Sequence, residues 1–327
     1  MECSMARSDK LVGIEQQTSE ISNILVVDWS LGNTCNYTCS YCPAETHSGS
    51  HPFMEMQQVL AFSKRINQHY KEGMGREICF LYTGGEVTLF KDFIPLIKAQ
   101  REAGNRIGIS TNGSRPVRYW EQARKYLDYV SISYHSDHTR LKHFIRVINA
   151  IKDHVQTHVN IMVKPEYFDK CIDAAYRVHE ETSEVTIDVQ IVLENFQRPF
   201  SYTDEQRQRI MSVSQEINAK LKLTRERKPF RGLMKLRYED DTHELVKAGD
   251  IIIRKLNSWK GWKCNVGIEE LVVNMHGDIF PSWCGKVGKI GNIRDAQLEF
   301  PSSGYVCPQD WCPGGISDIM VTKRKII

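Results

Sequence analysis

The chain has 327 residues, a length that predicts one to three domains and allows a large buried core. Its 43 basic and 40 acidic residues leave a net charge of +3, which argues against a nucleic acid as partner. The ten cysteines, the lack of an apolar signal segment and the lack of any run of about 20 apolar residues predict a reducing, cytoplasmic location with no membrane partner.

After a polar arm over residues 1–22, strand-like and helix-like segments alternate along the chain. The predicted strands are 24–31, 77–82, 106–111, 129–134, 158–164 and 185–193. The predicted helices are 55–71, 91–103, 116–127, 139–154, 168–181 and 203–222. Six such alternations predict an α/β fold, a partial (β/α)6 TIM-like barrel over residues 23–222. The loops at the carboxyl ends of its strands should converge, although they are far apart in sequence.

The first strand leads into three cysteines, Cys35, Cys39 and Cys42, with the spacing C-x3-C-x2-C. Three thiolates can hold three irons of a cubic 4Fe–4S cluster and leave the fourth iron without a protein ligand. Such an iron is a place where a substrate can bind. A zinc site is the alternative, because zinc normally takes four nitrogen or sulfur ligands and His47 is near enough in sequence to be the fourth.

Small and polar residues follow the next three strands. Residues 80–86 read Phe-Leu-Tyr-Thr-Gly-Gly-Glu, and residues 107–113 read Ile-Gly-Ile-Ser-Thr-Asn-Gly. Glycines at a strand end let a ligand approach the backbone closely. Glu86 can accept a hydrogen bond from an ammonium group, and Ser110, Thr111 and Asn112 offer hydroxyl and amide partners.

The cysteine loop after one strand, the Gly-Gly-Glu after the next and the Ser-Thr-Asn-Gly after the third resemble the radical S-adenosylmethionine (SAM) superfamily, over about residues 24 to 195. The resemblance implies a 4Fe–4S cluster whose open iron binds SAM, and reductive cleavage of SAM to a 5′-deoxyadenosyl radical. It also implies an electron donor such as a flavodoxin or ferredoxin.

The resemblance assigns expected roles to the residues at these strand ends. Gly84, Gly85 and Glu86 should hold the amino group of SAM. The adenine should lie near Tyr41, which precedes the third cysteine. The residues expected to line the rest of the SAM site are Ser110, Thr111, Asn112 and Ser133. The residues expected to contact the substrate are Lys164, Gln190, Tyr134 and His135. The alternative for Lys164 is an ordinary surface lysine, and for His135 an ordinary loop histidine.

Beyond residue 222 the composition changes. Residues 222–237 are strongly basic, which predicts a solvated linker or a docking strip for an acidic peptide or a phosphorylated substrate, within a basic linker over residues 223–263. Four cysteines follow over residues 264–327, namely Cys264, Cys284, Cys307 and Cys312. A hairpin with Gly277 at its turn should bring the segments beside the first two together. Four cysteines can saturate a zinc ion or an iron–sulfur cluster.

Beside a radical SAM core, this group resembles a twitch domain, the shorter relative of the SPASM domain, which carries one auxiliary 4Fe–4S cluster. The family often closes with a tighter pair than Cys307 and Cys312. The resemblance implies oxidative modification of a ribosomal peptide, whose leader a separate protein could bind. The alternative is oxidation or epimerisation of a small metabolite such as an aminosugar or cyclitol. A non-catalytic zinc or iron–sulfur protein is the remaining alternative.

Overall fold

The computed structural model of the protein describes residues 11–195, 198–221, 223–312 and 315–326. The strands, in chain order, are β1 (Leu11–Gln16), β2 (Ile24–Ser30), β3 (Glu77–Thr83), β4 (Arg106–Thr111), β5 (Tyr129–His135), β6 (Gln156–Val163), β7 (Val185–Ile191), β8 (Leu193–Glu194), β9 (Arg198–Pro199), β10 (Leu233–Tyr238), β11 (His243–Lys247), β12 (Lys263–Cys264), β13 (Glu270–Val273), β14 (Asp278–Phe280), β15 (Gly291–Asn292), β16 (Tyr305–Val306) and β17 (Lys323–Arg324). The helices are α1 (Ser19–Ser22), α2 (Met56–Ile66), α3 (Phe93–Glu102), α4 (Val117–Ala123), α5 (Leu141–Ile151), α6 (Phe168–Glu181), α7 (Asp204–Ala219), α8 (Ala248–Ile253) and α9 (Ile316–Ile319). None of these helices combines the length and the apolar character that crossing a bilayer requires.

These elements form two compact units. The barrel unit contains Trp29–Leu60 and Phe80–Arg227. The terminal unit contains the described parts of Met1–Asp28, Ala61–Cys79 and Lys228–Ile327. Strands β2 and β3 are each divided between the two units.

The barrel unit confirms the predicted alternation of six strands and six helices, from β2 to α7. Its strand order follows the sequence, and β4 to β7 pair in parallel. The register sets Ser133 opposite Asn160 and Met162 opposite Gln190. This is the predicted α/β fold of the partial-barrel type. The carboxyl ends of its parallel strands lie at one edge, where ligand sites of such folds are found.

The outer helices of the barrel unit are held by local sequence signals. Helix α6 buries Cys171, Ala174, Ala175 and Val178, a spacing that places four small or apolar side chains on one helical face. Helix α7 begins with a capping box, because the Thr203 hydroxyl accepts from the Gln206 N–H while the Gln206 side chain accepts from the Thr203 N–H.

The terminal unit is built on a six-stranded sheet with the order β11-β10-β1-β17-β12-β16. Strand β1 lies inside this sheet and places Leu11 and Ile14 in a core with Met234 and Trp259. The loose arm predicted over residues 1–22 is therefore wrong for residues 11–22, which form β1 and α1. Residues 1–10 lie outside the described residues.

The segment predicted to be a basic linker over residues 223–263 also contributes to this sheet. Strands β10 and β11 pair with each other and β10 pairs with β1. Met234 and Leu236 are buried, whereas Lys235 and Arg237, which follow them in alternation, are not. The period-2 alternation of β10 was hidden in a composition dominated by basic residues.

The predicted hairpin before Cys284 is confirmed. Strands β13 and β14 pair antiparallel through Val272 with Phe280 and Val273 with Ile279. Gly277 at the turn has a φ of 82°, a left-handed conformation that favours glycine. The Asn274 side chain accepts from the N–H groups of His276 and Asp278 at 2.9 Å each, which closes the turn.

Candidate functional site

The three N-terminal cysteines lie on one loop of the barrel unit that follows β2. The ends of this loop are joined by an antiparallel bridge between Thr34 and Ser48. The buried amide of Asn33 fixes the closure: its Nδ2 donates to the Glu45 carbonyl at 2.6 Å, and its Oδ1 accepts from the His51 N–H at 2.8 Å. These contacts hold the two ends of the loop together after the end of β2.

The thiols of this loop are surrounded by hydrogen-bond donors. Cys35 Sγ accepts from the Tyr37 N–H at 3.3 Å and from Asn112 Nδ2 at 3.9 Å. Burial raises the pKa of Cys35 above its ordinary value, and the Tyr37 N–H opposes that shift. A hydrogen bond between Cys39 and Cys42 raises the pKa of Cys39 and lowers that of Cys42.

The spacing of the thiols bears on the choice between zinc and a cluster. Among the residues that the structure describes, no three His, Cys, Asp or Glu side chains are grouped tightly enough to ligate one metal ion. A zinc site gathers all its ligands around one ion, with Zn–S distances of about 2.3 Å. In a 4Fe–4S cluster each thiolate binds a different iron, so the sulfur atoms lie farther apart. The two kinds of site therefore make different demands on the same three thiols, and the spacing C-x3-C-x2-C predicts the cluster.

Gly84 and Gly85 allow the strand end of β3 to lie directly against the segment that leads into Cys35. Gly85 N–H donates to the Gly32 carbonyl at 3.1 Å, and Glu86 N–H donates to the Thr34 carbonyl at 2.8 Å. A Cβ atom on Gly84 would overlap the Gly32 carbonyl oxygen, and one on Gly85 would overlap that of Thr34. The two glycines are thus required by the close approach of two backbone segments.

The Glu86 carboxylate is fully buried, and both of its oxygens accept hydrogen bonds from the protein. Its Oε1 accepts from Thr88 N–H at 3.1 Å, from Thr88 Oγ1 at 2.5 Å and from Thr111 Oγ1 at 2.7 Å. Its Oε2 accepts from Asn112 N–H at 2.6 Å. Burial raises the pKa of Glu86, and these hydrogen bonds oppose the shift. The expectation that this carboxylate receives the ammonium group of SAM is not supported, because it already joins the ends of β3 and β4.

Replacing Glu86 with glutamine should lower the free energy of unfolding by about 2–3 kcal/mol. A carboxamide presents an N–H₂ group where the native carboxylate only accepts, so one donor from Thr88 or Asn112 would face another donor. Denaturant unfolding of the full chain measures the change. The matched control is Glu121→Gln on an exposed face of α4, which should stay within about 0.5 kcal/mol of the parent. Equal stability of the Glu86→Gln variant and the parent would contradict the assigned role.

The other residues expected around SAM differ in their availability. Asn112 Nδ2 donates to Asn36 Oδ1 at 3.0 Å, and its Oδ1 accepts from Ser114 N–H at 2.9 Å, so this amide supports the cysteine loop. Thr111 is bound to Glu86. Ser110 is exposed and Ser133 is half-buried. The two serine hydroxyls are the polar groups of this set that the described part of the chain leaves open to a ligand.

Aromatic rings pack against the cysteine loop. Tyr41 is buried, stacks on His135 with ring centroids 6.0 Å apart, and shares a hydrogen bond with His135 Nδ1. Tyr37 stacks on His138 at 4.9 Å. Burial, with the neighbouring His138, lowers the pKa of His135 to about 4, so its ring is neutral at pH 7. His135 therefore serves as an uncharged wall of the site. The sequence interpretation did not single out Tyr37 or His138.

The predicted substrate residues do not all face the same side. Tyr134 is buried and packs edge-on against Phe144 of α5, with ring centroids 5.7 Å apart. It belongs to the core between strand and helix, so its predicted role as a substrate contact is wrong. Lys164 is buried and forms ion pairs with Asp137 at 3.5 Å and Glu166 at 3.8 Å.

Gln190 joins a polar face, which we define as the face of β5, β6 and β7 opposite their helices. Gln190 Nε2 donates to Asn160 Oδ1 at 2.7 Å, and Asn160 Nδ2 donates to Ser131 Oγ at 2.8 Å. His158 contacts Asn160 Oδ1 through Nε2 at 3.1 Å and approaches Asp188 at 3.6 Å. The remaining members of the polar face, by register, are Ser133 and Thr186.

The four C-terminal cysteines line one largely apolar recess of the terminal unit, together with Lys323. Backbone hydrogen bonds position the last two cysteines. The Cys307 N–H donates to the Trp262 carbonyl at 2.8 Å, and the Cys312 N–H donates to the Asn257 carbonyl at 2.9 Å. The four residues between Cys307 and Cys312 therefore do not prevent both thiols from reaching the recess. Burial raises the pKa of Cys264 to about 11, and Lys323 opposes this shift.

Lys323 is a buried cation that the sequence interpretation missed. Its Nζ donates to the Asp318 carbonyl at 2.5 Å and the Val321 carbonyl at 2.8 Å, and it lies 4.3 Å from the ring centroid of Trp259. Its positive charge would offset part of the negative charge of the four thiolates. The sequence did not mark Lys323, because Trp259 and the four cysteines come from other segments of the chain, although its carbonyl partners are close in sequence.

Comparisons with known proteins agree with this arrangement. The family model described as the Radical SAM superfamily matches residues 29–179. A GTP 3′,8-cyclase of Pasteurella multocida is 30% identical over 132 residues, which cover 38% of this chain and 37% of that protein. A probable GTP 3′,8-cyclase of Thermoplasma volcanium is 30% identical over 116 residues, which cover 35% and 33%. The chain thus spans about a third of the length of these curated relatives.

Solved structures share the fold over a longer stretch. Native anSMEcpe with bound AdoMet has a TM-score of 0.52 and 14% identity, covering 83% of this chain and 78% of that one. SuiB of Streptococcus suis has a TM-score of 0.50 and 12% identity, covering 85% and 63%. At such identities the likeness concerns the fold alone.

Proposed function

We propose that this enzyme holds a 4Fe–4S cluster through Cys35, Cys39 and Cys42 and uses SAM to remove a hydrogen atom from its substrate. The premise is that residues 29–179 form a radical SAM domain. The observation that carries the proposal is the single clamped loop that presents three thiols beside the ends of β3 and β4. When bound, the cluster supplies the electron that cleaves SAM, and the 5′-deoxyadenosyl radical so released abstracts the hydrogen atom.

The chain's own residues orient and shield this chemistry. Asn33 holds the two ends of the cysteine loop, and Glu86 joins the strand ends on which the loop rests. Tyr41 and neutral His135 close one side with rings that carry no charge at pH 7. Shielding of this kind keeps water away from a reactive radical.

The four C-terminal thiols fit an auxiliary 4Fe–4S cluster, since they surround one recess whose wall also carries Lys286, Lys323 and Asp318. With every iron ligated by the protein, such a cluster would exchange electrons and would not bind substrate. This favours an oxidative outcome, in which the substrate radical gives up an electron.

The polar face supports a small hydroxyl- or amine-bearing substrate. Its groups are amide, hydroxyl, imidazole and carboxylate, which recognise neutral or cationic polar molecules. The nearby cation Lys164 is already paired with two carboxylates, so this face offers little to a nucleoside triphosphate. The support for a peptide is weaker than the sequence suggested, because two guanidinium groups of the basic segment already bind the protein itself. The Arg225 guanidinium donates to the Lys152 carbonyl, and the Arg227 guanidinium donates to the Glu184 carbonyl.

The proposed reaction is the oxidation of an alcohol or amine carbon. Loss of a hydrogen atom from that carbon, then of one electron and of the proton on oxygen or nitrogen, gives a carbonyl or imine with two hydrogens fewer than the substrate. We assign the proton to His158, which lies beside Asp188 on the polar face, because histidine is the usual side chain for proton transfer near neutral pH.

The test is anaerobic reconstitution with iron and sulfide, followed by reductant, SAM and two panels of candidates, aminosugars and cyclitols in one and peptides in the other. We expect a brown protein that forms 5′-deoxyadenosine, and a metabolite product lighter by two hydrogens. A colourless protein that binds zinc and leaves SAM intact would overturn the proposal. Oxidation confined to the peptide panel would overturn the assigned substrate class only.

Replacing Asn160 with alanine should lower kcat/KM for the substrate about tenfold or more, because it removes the group that links Ser131, His158 and Gln190. The ratio of 5′-deoxyadenosine to product should rise at the same time. Steady-state assays that quantify both compounds measure this. Asn149→Ala on the outer helix α5 is the control and should keep the parental ratio. An unchanged ratio in Asn160→Ala would remove the polar face from substrate recognition.

A further inference from the structure

A second recess, of about 370 Å³, lies in the terminal unit where β1 ends. Its wall is formed by residues 15–19, which cover the end of β1 and the residues after it, by Arg76 just before β3, and by Lys235, Thr322 and Arg324. Its volume falls within the range of small-molecule sites. None of these residues belongs to the cysteine loop, the polar face or the recess of the four C-terminal cysteines.

Three side chains that line this recess carry buried polar atoms with no hydrogen-bond partner among the described residues. They are Gln16 Oε1, Arg76 Nε and Thr322 Oγ1. Gln16 is only 4% exposed and Thr322 only 3%. Buried polar groups in folded proteins are nearly always hydrogen-bonded, because an unpaired one costs about 1–3 kcal/mol. A polar ligand in the recess would supply partners for these three atoms.

The rest of each side chain is held rigidly. Gln16 Nε2 donates to the Met320 carbonyl at 2.5 Å and to Glu269 Oε2 at 3.1 Å. The same Glu269 oxygen accepts from Thr322 N–H at 2.9 Å. One buried carboxylate therefore fixes Gln16 and Thr322 relative to each other. The Gln16 Oε1 acceptor and the Thr322 hydroxyl take no part in these bonds. Arg76 is anchored by Nη2 on the Ser22 carbonyl at 2.7 Å.

The charge of the recess is positive. Its cations are Arg76, Lys235 and Arg324, and its one acidic side chain, Glu15, is already bound by Arg324 at 3.0 Å and Arg237 at 3.4 Å. Within the described residues neither Arg76 nor Lys235 has an ion pair. Burial lowers the pKa of Arg76, and the charge of Glu269 opposes that shift. An anion in the recess would meet two cations that form no ion pair within the described residues.

We propose that this recess binds a small phosphorylated metabolite. The phosphate oxygens would accept hydrogen bonds from Arg76 Nε and the Lys235 ammonium, while a hydroxyl of the ligand would donate to Gln16 Oε1 and pair with Thr322 Oγ1. The anion satisfies the cations, and the ligand hydroxyl satisfies the buried acceptor that an anion alone would leave unpaired.

The test compares three probes on the full chain by isothermal titration calorimetry: inorganic phosphate, sulfate and glycerol 3-phosphate. Hydrogen phosphate keeps an O–H group at neutral pH, whereas sulfate has none. We expect saturable binding at one site, with phosphate about tenfold tighter than sulfate, since one hydrogen bond at a buried acceptor is at stake. Glycerol 3-phosphate should bind more tightly than phosphate, because its carbon skeleton carries hydroxyls into the recess. If phosphate binds and the ester does not, the occupant is free phosphate and the metabolite assignment is wrong.

Two variants locate the site. Lys235→Gln should weaken phosphate binding about three- to tenfold, and Thr322→Val, which keeps the side-chain shape, should weaken glycerol 3-phosphate binding by a similar factor. Lys64→Gln is the control, since Lys64 is an exposed lysine of α2 in the same unit and outside the recess. Parental affinity in both recess variants, or no saturable binding of any probe, would overturn the proposal. No step requires SAM or an iron–sulfur cluster, so the result is independent of the proposed radical chemistry.

Discussion

Replacing Cys35 with alanine should abolish the formation of 5′-deoxyadenosine from SAM, by at least three orders of magnitude relative to the parent. Cys35 Sγ accepts from the Tyr37 N–H of the same loop and from the Asn112 side chain that follows β4. Two remaining thiols cannot hold a cluster that presents one open iron. Anaerobic assays by chromatography, with iron analysis on the same samples, measure both effects.

The control for this experiment is another cysteine of the barrel unit. Cys171 is buried on α6 among Ala174, Ala175 and Val178, so Cys171→Ala removes a thiol from the core and not from the loop. It should keep the iron content and the rate of SAM cleavage of the parent. SAM cleavage by the Cys35→Ala protein at the parental rate would show that the radical site has been misplaced.

Replacing Cys284 with alanine should have a different effect. We expect the iron content to fall from about eight toward about four per chain, with loss of the oxidised product and survival of slow, uncoupled 5′-deoxyadenosine formation. The thiol lies in the recess shared with Cys264, Cys307 and Cys312, so its removal leaves the loop of the barrel unit intact. Iron analysis, electron paramagnetic resonance and product assays on one preparation test all three points.

Ser282→Ala provides the matched control. The Ser282 hydroxyl lies 3.0 Å from Cys284 Sγ, so this variant disturbs the same thiol without removing it. It should retain the full iron content and form product. If Cys284→Ala turns over substrate as the parent does, the C-terminal thiols do not take part in the oxidation.

The sequence predicts well those features whose physical cause is local. The spacing of Cys35, Cys39 and Cys42 and the turn at Gly277 depend on neighbouring residues, and the structure has both as expected. The six strand–helix alternations also follow from local periodicity. Alternation could have excluded one error, because adjacent strand residues such as Tyr134 and His135 face opposite sides.

Other features depend on residues far away in the chain. The carboxylate of Glu86 is consumed by Thr111 and Asn112 on the next strand, which the motif alone could not reveal. Strand β1 finds its partners more than 200 residues later, so its short apolar pattern looked like an irregular arm. Gln16 and Thr322 meet through Glu269 for the same reason.

The position of β17 has a consequence for biosynthesis. This two-residue strand lies between β1 and β12 in the sheet. It joins β11, β10 and β1 on one side to β12, which carries Cys264, and β16 on the other. The sheet around the four-cysteine recess is therefore complete only after residue 324 has left the ribosome, whereas the loop of Cys35, Cys39 and Cys42 leaves the ribosome well before that residue. We expect the cellular machinery that delivers iron–sulfur clusters to load the two sites at different times, with the C-terminal site as a post-translational step.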